Sequence, residues 1–357
     1  MLLELYDFGI DPRVLHIGLG LALGLLFGIA AQISQFCLRR AIDTGASDRT
    51  GASDRQAAAG VWMAAFAAGV LALWGAGALG FADLSGHRWI SADLPIVAIV
   101  LGGLAFGVGM VLTRGCMSRL TVLGASGNLR ALTVIVVFAV IAHAMLKGVL
   151  SPLREALVAV TVTSPVATLA DLPGGAALWA PVVALPLLVL AWRSGASLFH
   201  LGLGGLIGLV VAAGWAGTSV LLLDEFDPLP VQSVAFTLTW TETLFWTIAS
   251  TALPATFGVG FVGGVLGGAF LSALFRGELH LQSFETPEQT LRYALGAVLM
   301  GVGGVLAGGC TVGAGLAGGA TLSVAALLAL GAIIAGAMGA NLVLAGASKA
   351  GSASAVA

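Results

Sequence analysis

The sequence predicts an all-α integral membrane protein with an inverted internal repeat, and three observations carry that prediction. Hydrophobic residues make up 59% of the 357 residues and charged residues 9%, whereas soluble domains carry roughly 25% charged residues. Apolar runs recur at the length of a bilayer crossing, about 20 residues. Two glycine-rich stretches, 101–124 and 295–318, agree at ten of twenty-four positions when Cys116 is set on Cys310.

Taken in order, the apolar runs place about nine spans, at 14–31, 57–80, 95–112, 131–150, 175–192, 197–215, 253–275, 293–308 and 321–347. The segment before the first run carries Glu4, Asp7 and Asp11 ahead of Arg13 and has no small-residue cleavage site, so the run reads as a retained span and not a signal peptide. Arg39, Arg40, Arg49 and Arg55 form the densest basic group, which the positive-inside rule assigns to the cytoplasm. Loop 81–94, with Asp83 and Asp93, and the acidic turn Asp224-Glu225-Phe226-Asp227 then fall outside. Arg114, Arg119, Arg130, Arg193, Arg276 and Arg292 fall inside, with Lys147 and Arg154 as exceptions. The N-terminus is thus expected in the periplasm, and the C-terminus, with Lys349, in the cytoplasm.

The cysteine-centred repeat is joined by a fainter one, 18–31 against 202–215, whose second copy puts Trp215 near the place of Cys37. In the span order the first copy runs inward and the second outward. One domain is therefore expected, with a first repeat over 1–170, a connecting span over 171–196, a second repeat over 197–347 and a flexible tail over 348–357. Inverted repeats with broken helices near the midplane are a transport-type architecture. Segments 32–43, 113–128, 216–250 and 309–320 are too short, too polar or too glycine-rich to be full spans and are expected to be the short broken pieces.

Glycine inside a helix costs about 1 kcal/mol relative to alanine, so its density calls for a reason. Away from the cysteines, pairs such as Gly303 and Ala307 read as small faces for close helix packing. Around Cys116 and Cys310, the bare backbone of Gly115, Gly308, Gly309 and Gly313, with Thr311 beside it, offers amides to a ligand. A helix starting just after each cysteine would add partial positive charge suited to an anion. The three cysteines, Cys37, Cys116 and Cys310, have no C-x-x-C spacing and no neighbouring histidine, so no metal template is met and no cofactor is called for. A single free cysteine is commonly a small buried hydrophobe. Two at equivalent repeat positions, with the third behind a broken-helix candidate, point to a shared pathway.

Gly301, Gly303, Ala307, Gly308, Gly309 and Cys310; Thr113-Arg114-Gly115-Cys116-Met117-Ser118; and Ser34-Gln35-Phe36-Cys37 before Arg40 together resemble the three cysteine motifs of the YeeE/YedE family. The resemblance covers nearly the whole chain. It implies an hourglass-like body of nine spanning and four short helices in the bacterial inner membrane. It also implies uptake of thiosulfate or a related sulfur anion through a relay of the three thiols, and a small cytoplasmic sulfur-carrier protein as partner. The chain departs from the family pattern at Gln35, Arg114 and Arg119. The two arginines either reach for the cytoplasmic interface or draw a dianion into the path. A neutral thiol offers a weak S–H donor and a polarizable surface to a soft terminal sulfur, while weak sequential sites favour passage over trapping.

A thiol enzyme that passes sulfur through persulfide or disulfide steps is the alternative class, and a scaffold for sulfur metabolism is a third. The missing C-x-x-C, general base and nucleotide motif favour a transporter and no enzyme. Nothing points to nucleic acid. Among other residues, Cys37 is expected at the cytoplasmic mouth with no second thiol nearby. Glu242 in Trp240–Trp246 reads as a solvated acid in an aromatic belt, Lys147 as a snorkelling cation one turn from His143, and His87 as a loop histidine.

Overall fold

The computed structural model describes residues 11–43, 51–222 and 229–354. Arg49, the turn Asp224–Asp227 and the side chain of Lys349 lie outside the described residues. Helix α1, Pro12–Ser34, begins with the Asp11 side chain accepting the Arg13 N–H at 2.8 Å and a proline in the first turn, the usual way of satisfying an N-terminus. There follow α2 Leu38–Ile42, α3 Gly51–Ala78, α4 Ile96–Leu112, α5 Met117–Ala125, α6 Leu129–Lys147, α7 Ser151–Val158 and α8 Gly175–Arg193. The remainder is α9 Leu198–Ala216, α10 Thr237–Ile248, α11 Phe257–Arg276, α12 Pro287–Leu306 and α13 Val324–Ser354. Two π-helical segments, Gly217–Leu221 and Thr311–Gly318, continue α9 and follow α12. The chain is an all-α membrane protein: among the described residues, nine helical stretches are long and apolar enough to cross a bilayer.

Each expected broken piece contains a helix interruption, and α2, α5, α10 and Thr311–Gly318 lie within them. Helix α7 and the small antiparallel pair β1 Asp93–Leu94 and β2 Val162–Thr163 are additions that hydropathy does not register. The last helix continues to Ser354, into the stretch that composition reads as a flexible tail.

Packing partners are exchanged between the halves. Helix α1 lies on α11, while α9, which the fainter sequence repeat sets against α1, lies on α3; α4 lies on both α12 and α13. Glycines set these approaches. A Cβ at Gly20, Gly24 or Gly28 of α1 would collide with the backbone of α11, and one at Gly260, Gly264 or Gly268 with that of α1. Gly204 and Gly208 of α9 meet α3 in the same way. On the α4–α12 seam, Gly102 opposes Gly303 and Gly109 opposes Gly296. In the sequence repeat Gly102 is equivalent to Gly296 and Gly109 to Gly303, so exchanging equivalent positions turns one of these contacts into the other. Ala307 also packs on Gly102, as the small-residue pattern predicts.

Helix α8 packs chiefly on α3 and is the least enclosed of the nine, with Leu185, Val189, Leu190 and Trp192 exposed. An apolar exposed face of this kind suits contact with lipid. Basic residues gather at one end of the bundle, where Gln32 Nε2 donates to Glu278 at 3.0 Å and Arg130 pairs with Glu285 at 2.7 Å. The opposite end carries β1, β2 and the loop between α3 and α4.

Candidate functional site

Each of the three cysteines stands at the break of an interrupted helix and caps the N-terminus of the segment after it: Cys37 before α2, Cys116 before α5 and Cys310 before Thr311–Gly318. Two residues upstream of each, the chain reverses through left-handed backbone, at Gln35 (φ 52°), Arg114 (φ 57°) and Gly308 (φ 78°). Only the last is the residue this conformation favours. Gly308 is doubly required, because a Cβ there would also press on the Trp89 ring at 3.0 Å. The sequence anticipates helix starts after the cysteines but not the shared turn.

All three thiols are buried. The Cys37 and Cys116 sulfurs lie 3.7 Å apart, in hydrogen-bond contact, and Cys116 Sγ is 3.2 Å from Ser118 Oγ. The expectation that Cys37 stands alone is corrected: α1 and α4 break at the same depth near the basic end and bring their motifs together. Cys310 is not part of this pair. Its sulfur accepts the Gly313 N–H at 3.4 Å. Cys116, at the equivalent position, makes no such cap bond to the N–H of Arg119, the residue that matches Gly313.

The Cys310 loop faces the other end of the molecule. Gly308, Gly309 and Gly313 line a cavity of about 150 Å³ together with His87, Arg88 and Trp215, room for a small oxyanion or a few waters. Arg88 Nη2 donates to the Gly308 carbonyl at 2.6 Å while one face of the side chain stays open. Trp215 is buried, donates from Nε1 to the Ala317 carbonyl at 3.0 Å and meets His87 edge-on at 4.8 Å. It therefore belongs with the Cys310 loop and not opposite Cys37. The Thr237 hydroxyl, also on the cavity wall, is buried without a hydrogen-bond partner among the described residues, as is that of Thr311. Burial and the adjacent Arg88 pull His87 from the ordinary 6.5 to about 4, leaving the ring neutral near pH 7.

Arg88, His87 and Thr237 escape the motif reading. The available signal is Arg88 itself, a basic residue in a loop that the charge rule places outside. Of the two motif arginines, Arg114 is exposed, whereas Arg119 lies in the first turn of α5 after Cys116 and its Nη1 is buried without a hydrogen-bond partner among the described residues. The Phe36, Phe27 and Phe236 rings, 6.2 and 5.4 Å apart, link the neighbour of Cys37 to Ala235, which packs on Gly313. A buried aromatic link thus lies between the thiol pair and the Cys310 cavity. Glu242 is half-buried rather than solvated: it accepts a hydrogen bond from Thr256 at 2.7 Å and lines a separate cavity of about 260 Å³ with His143 and Lys147.

Residues 33–339 match the family described as sulphur transport. The chain is also similar to the thiosulfate transporter TsuA of Spirochaeta thermophila, at 27% identity over 238 residues that cover 62% of this chain and 69% of that protein. With the family match running from before the first cysteine to beyond the last, the chain belongs to the sulphur transport (YeeE/YedE) family.

Proposed function

We propose that the protein imports thiosulfate, or a closely related sulfur oxyanion, across the bacterial inner membrane by way of Cys310 and then the Cys37–Cys116 pair. The observation that carries this reading is the common build of the three thiols. Each caps a broken helix; two touch, and the loop of the third opens on a cavity with an arginine and backbone amides. Arginine, amides and hydroxyls suit hard oxygens, and a thiol suits a soft terminal sulfur. The phenylalanine link acts as a constriction that passes the ion only when it opens. The gathering of arginines at the Cys37 end supports a cytoplasmic exit there, an outer N-terminus and delivery to a small sulfur-carrier protein. The two halves are read as inverted repeats joined by α8.

Uptake of labelled thiosulfate by purified protein in sealed vesicles, against sulfate and selenite, tests this. Thiosulfate should accumulate and sulfate should not. Cys116→Ala should cut the rate at least about tenfold, the loss expected when a specific polar contact is removed, with membrane expression intact. Uptake unaffected by alanine at Cys37, Cys116 and Cys310 alike would reduce the thiols to packing. The Cys37–Cys116 contact also fits a second reading, a membrane thiol enzyme working through a disulfide or persulfide. Turnover in detergent, with a persulfide on Cys37 by non-reducing mass spectrometry, would favour that reading over transport.

A further inference from the structure

We propose that Arg119 turns the Cys37–Cys116 pair into a charge-selective anion station, one that holds a doubly charged sulfur oxyanion with its sulfur on the thiols and its oxygens on the guanidinium. The inference rests on the transport reading for its physiological ligand, but the site stands on its own geometry. Arg119 stands in the first turn of α5, three residues after Cys116, whose sulfur touches that of Cys37, and its Nη1 is fully enclosed with no hydrogen-bond partner among the described residues. An enclosed guanidinium N–H without an acceptor is costly. The nearby carboxylate, Glu278, is already held by Arg276 at 2.8 Å and by Gln32 at 3.0 Å, so the free valence of Arg119 is left for a ligand.

Neutral donors complete the station. The Ser118 hydroxyl lies 3.2 Å from Cys116 Sγ, and Cys37 Sγ lies 3.7 Å from the same sulfur. In the other half the position of Arg119 is Gly313, and the charge at Cys310 comes instead from Arg88 on a separate loop. Each thiol station therefore has one arginine, reached by a different route, and the one at the thiol pair sits in the repeat itself. A guanidinium in a water-poor site discriminates by charge more strongly than a thiol can.

Vesicle uptake of thiosulfate, a dianion, is compared with that of methanethiosulfonate, a monoanion with the same terminal sulfur. Wild type should prefer thiosulfate. Arg119→Gln should raise the KM for thiosulfate about tenfold or more and bring the ratio of the two rates toward one, whereas Arg119→Lys should keep most of the preference. An unchanged KM and ratio in Arg119→Gln would overturn the proposal, while a wild type that takes up no thiosulfate overturns the transport reading alone. A second measurement needs neither transport nor a stable Arg119→Gln protein. With Cys310→Ala, the remaining thiols should react faster with sulfonatoethyl methanethiosulfonate than with its trimethylammonium analogue. Faster reaction with the cationic reagent would refute an anion station.

Discussion

Gln35 and Arg114 hold left-handed backbone without being glycine, at about 1–2 kcal/mol each, and the strain marks the turns that deliver Cys37 and Cys116. His87 is set by its surroundings in another way. Its Nδ1 accepts the Trp89 N–H at 3.2 Å, which requires the unprotonated ring. An unfolded chain takes up this proton below pH 6.5, the folded protein only below about 4. The contribution of His87 to stability is therefore complete above pH 6.5 and is lost as pH falls toward 4. Discounted for the water that reaches the cavity, the loss is on the order of 1–2 kcal/mol. Thermal unfolding in detergent at pH 7 and pH 4.5 should show a drop in Tm that His87→Gln makes smaller; equal drops in the two proteins would exclude His87 as the source.

At the scale of elements, glycine acts through helix approach. Gly264 meets the backbone of α1 across its contact with α11, whereas the next residue toward the N-terminus, Gly263, has nothing within 4 Å of a Cβ. Gly264→Ala should destabilise the protein by about 1–3 kcal/mol, the usual cost of overpacking. Gly263→Ala should be neutral or add up to about 1 kcal/mol through helix propensity. Matched Tm measurements on the two variants decide it, and equal behaviour would show that the seam is not close-packed. This is also where the sequence is most legible, because the glycine spacing on α1 and α11 and the register of 101–124 with 295–318 are periodic signals. The Cys37–Cys116 contact is not legible: it depends on two helices breaking at one depth, which neither motif encodes alone. Arg88 is hidden likewise, since it reaches Gly308 from a loop with no counterpart in the repeat.

For the whole molecule, the gathering of arginines at one end fixes an expected topology. A cysteine introduced at exposed Ser85, in a background lacking the three native cysteines, should be labelled by an impermeant maleimide from outside intact cells. One introduced at exposed Glu288 should be labelled only after the cells are opened. The reverse pattern would invert the orientation. The span count and the helix breaks are readable from composition because bilayer thickness and backbone satisfaction leave few alternatives. The exchange of partners between halves has a consequence for how the chain is made. The surface on which α1 closes belongs to α11, whose first residue follows the first of α1 by 245 positions (257 − 12). At a synthesis rate of about 5–20 residues per second, α1 waits in the bilayer for roughly 10–50 s before its partner exists. Its glycine face, Gly20, Gly24 and Gly28, is without that partner throughout the interval. A ribosome stalled before α11 thus releases a fragment with an unmated seam, recognisable as incomplete however many spans it already contains.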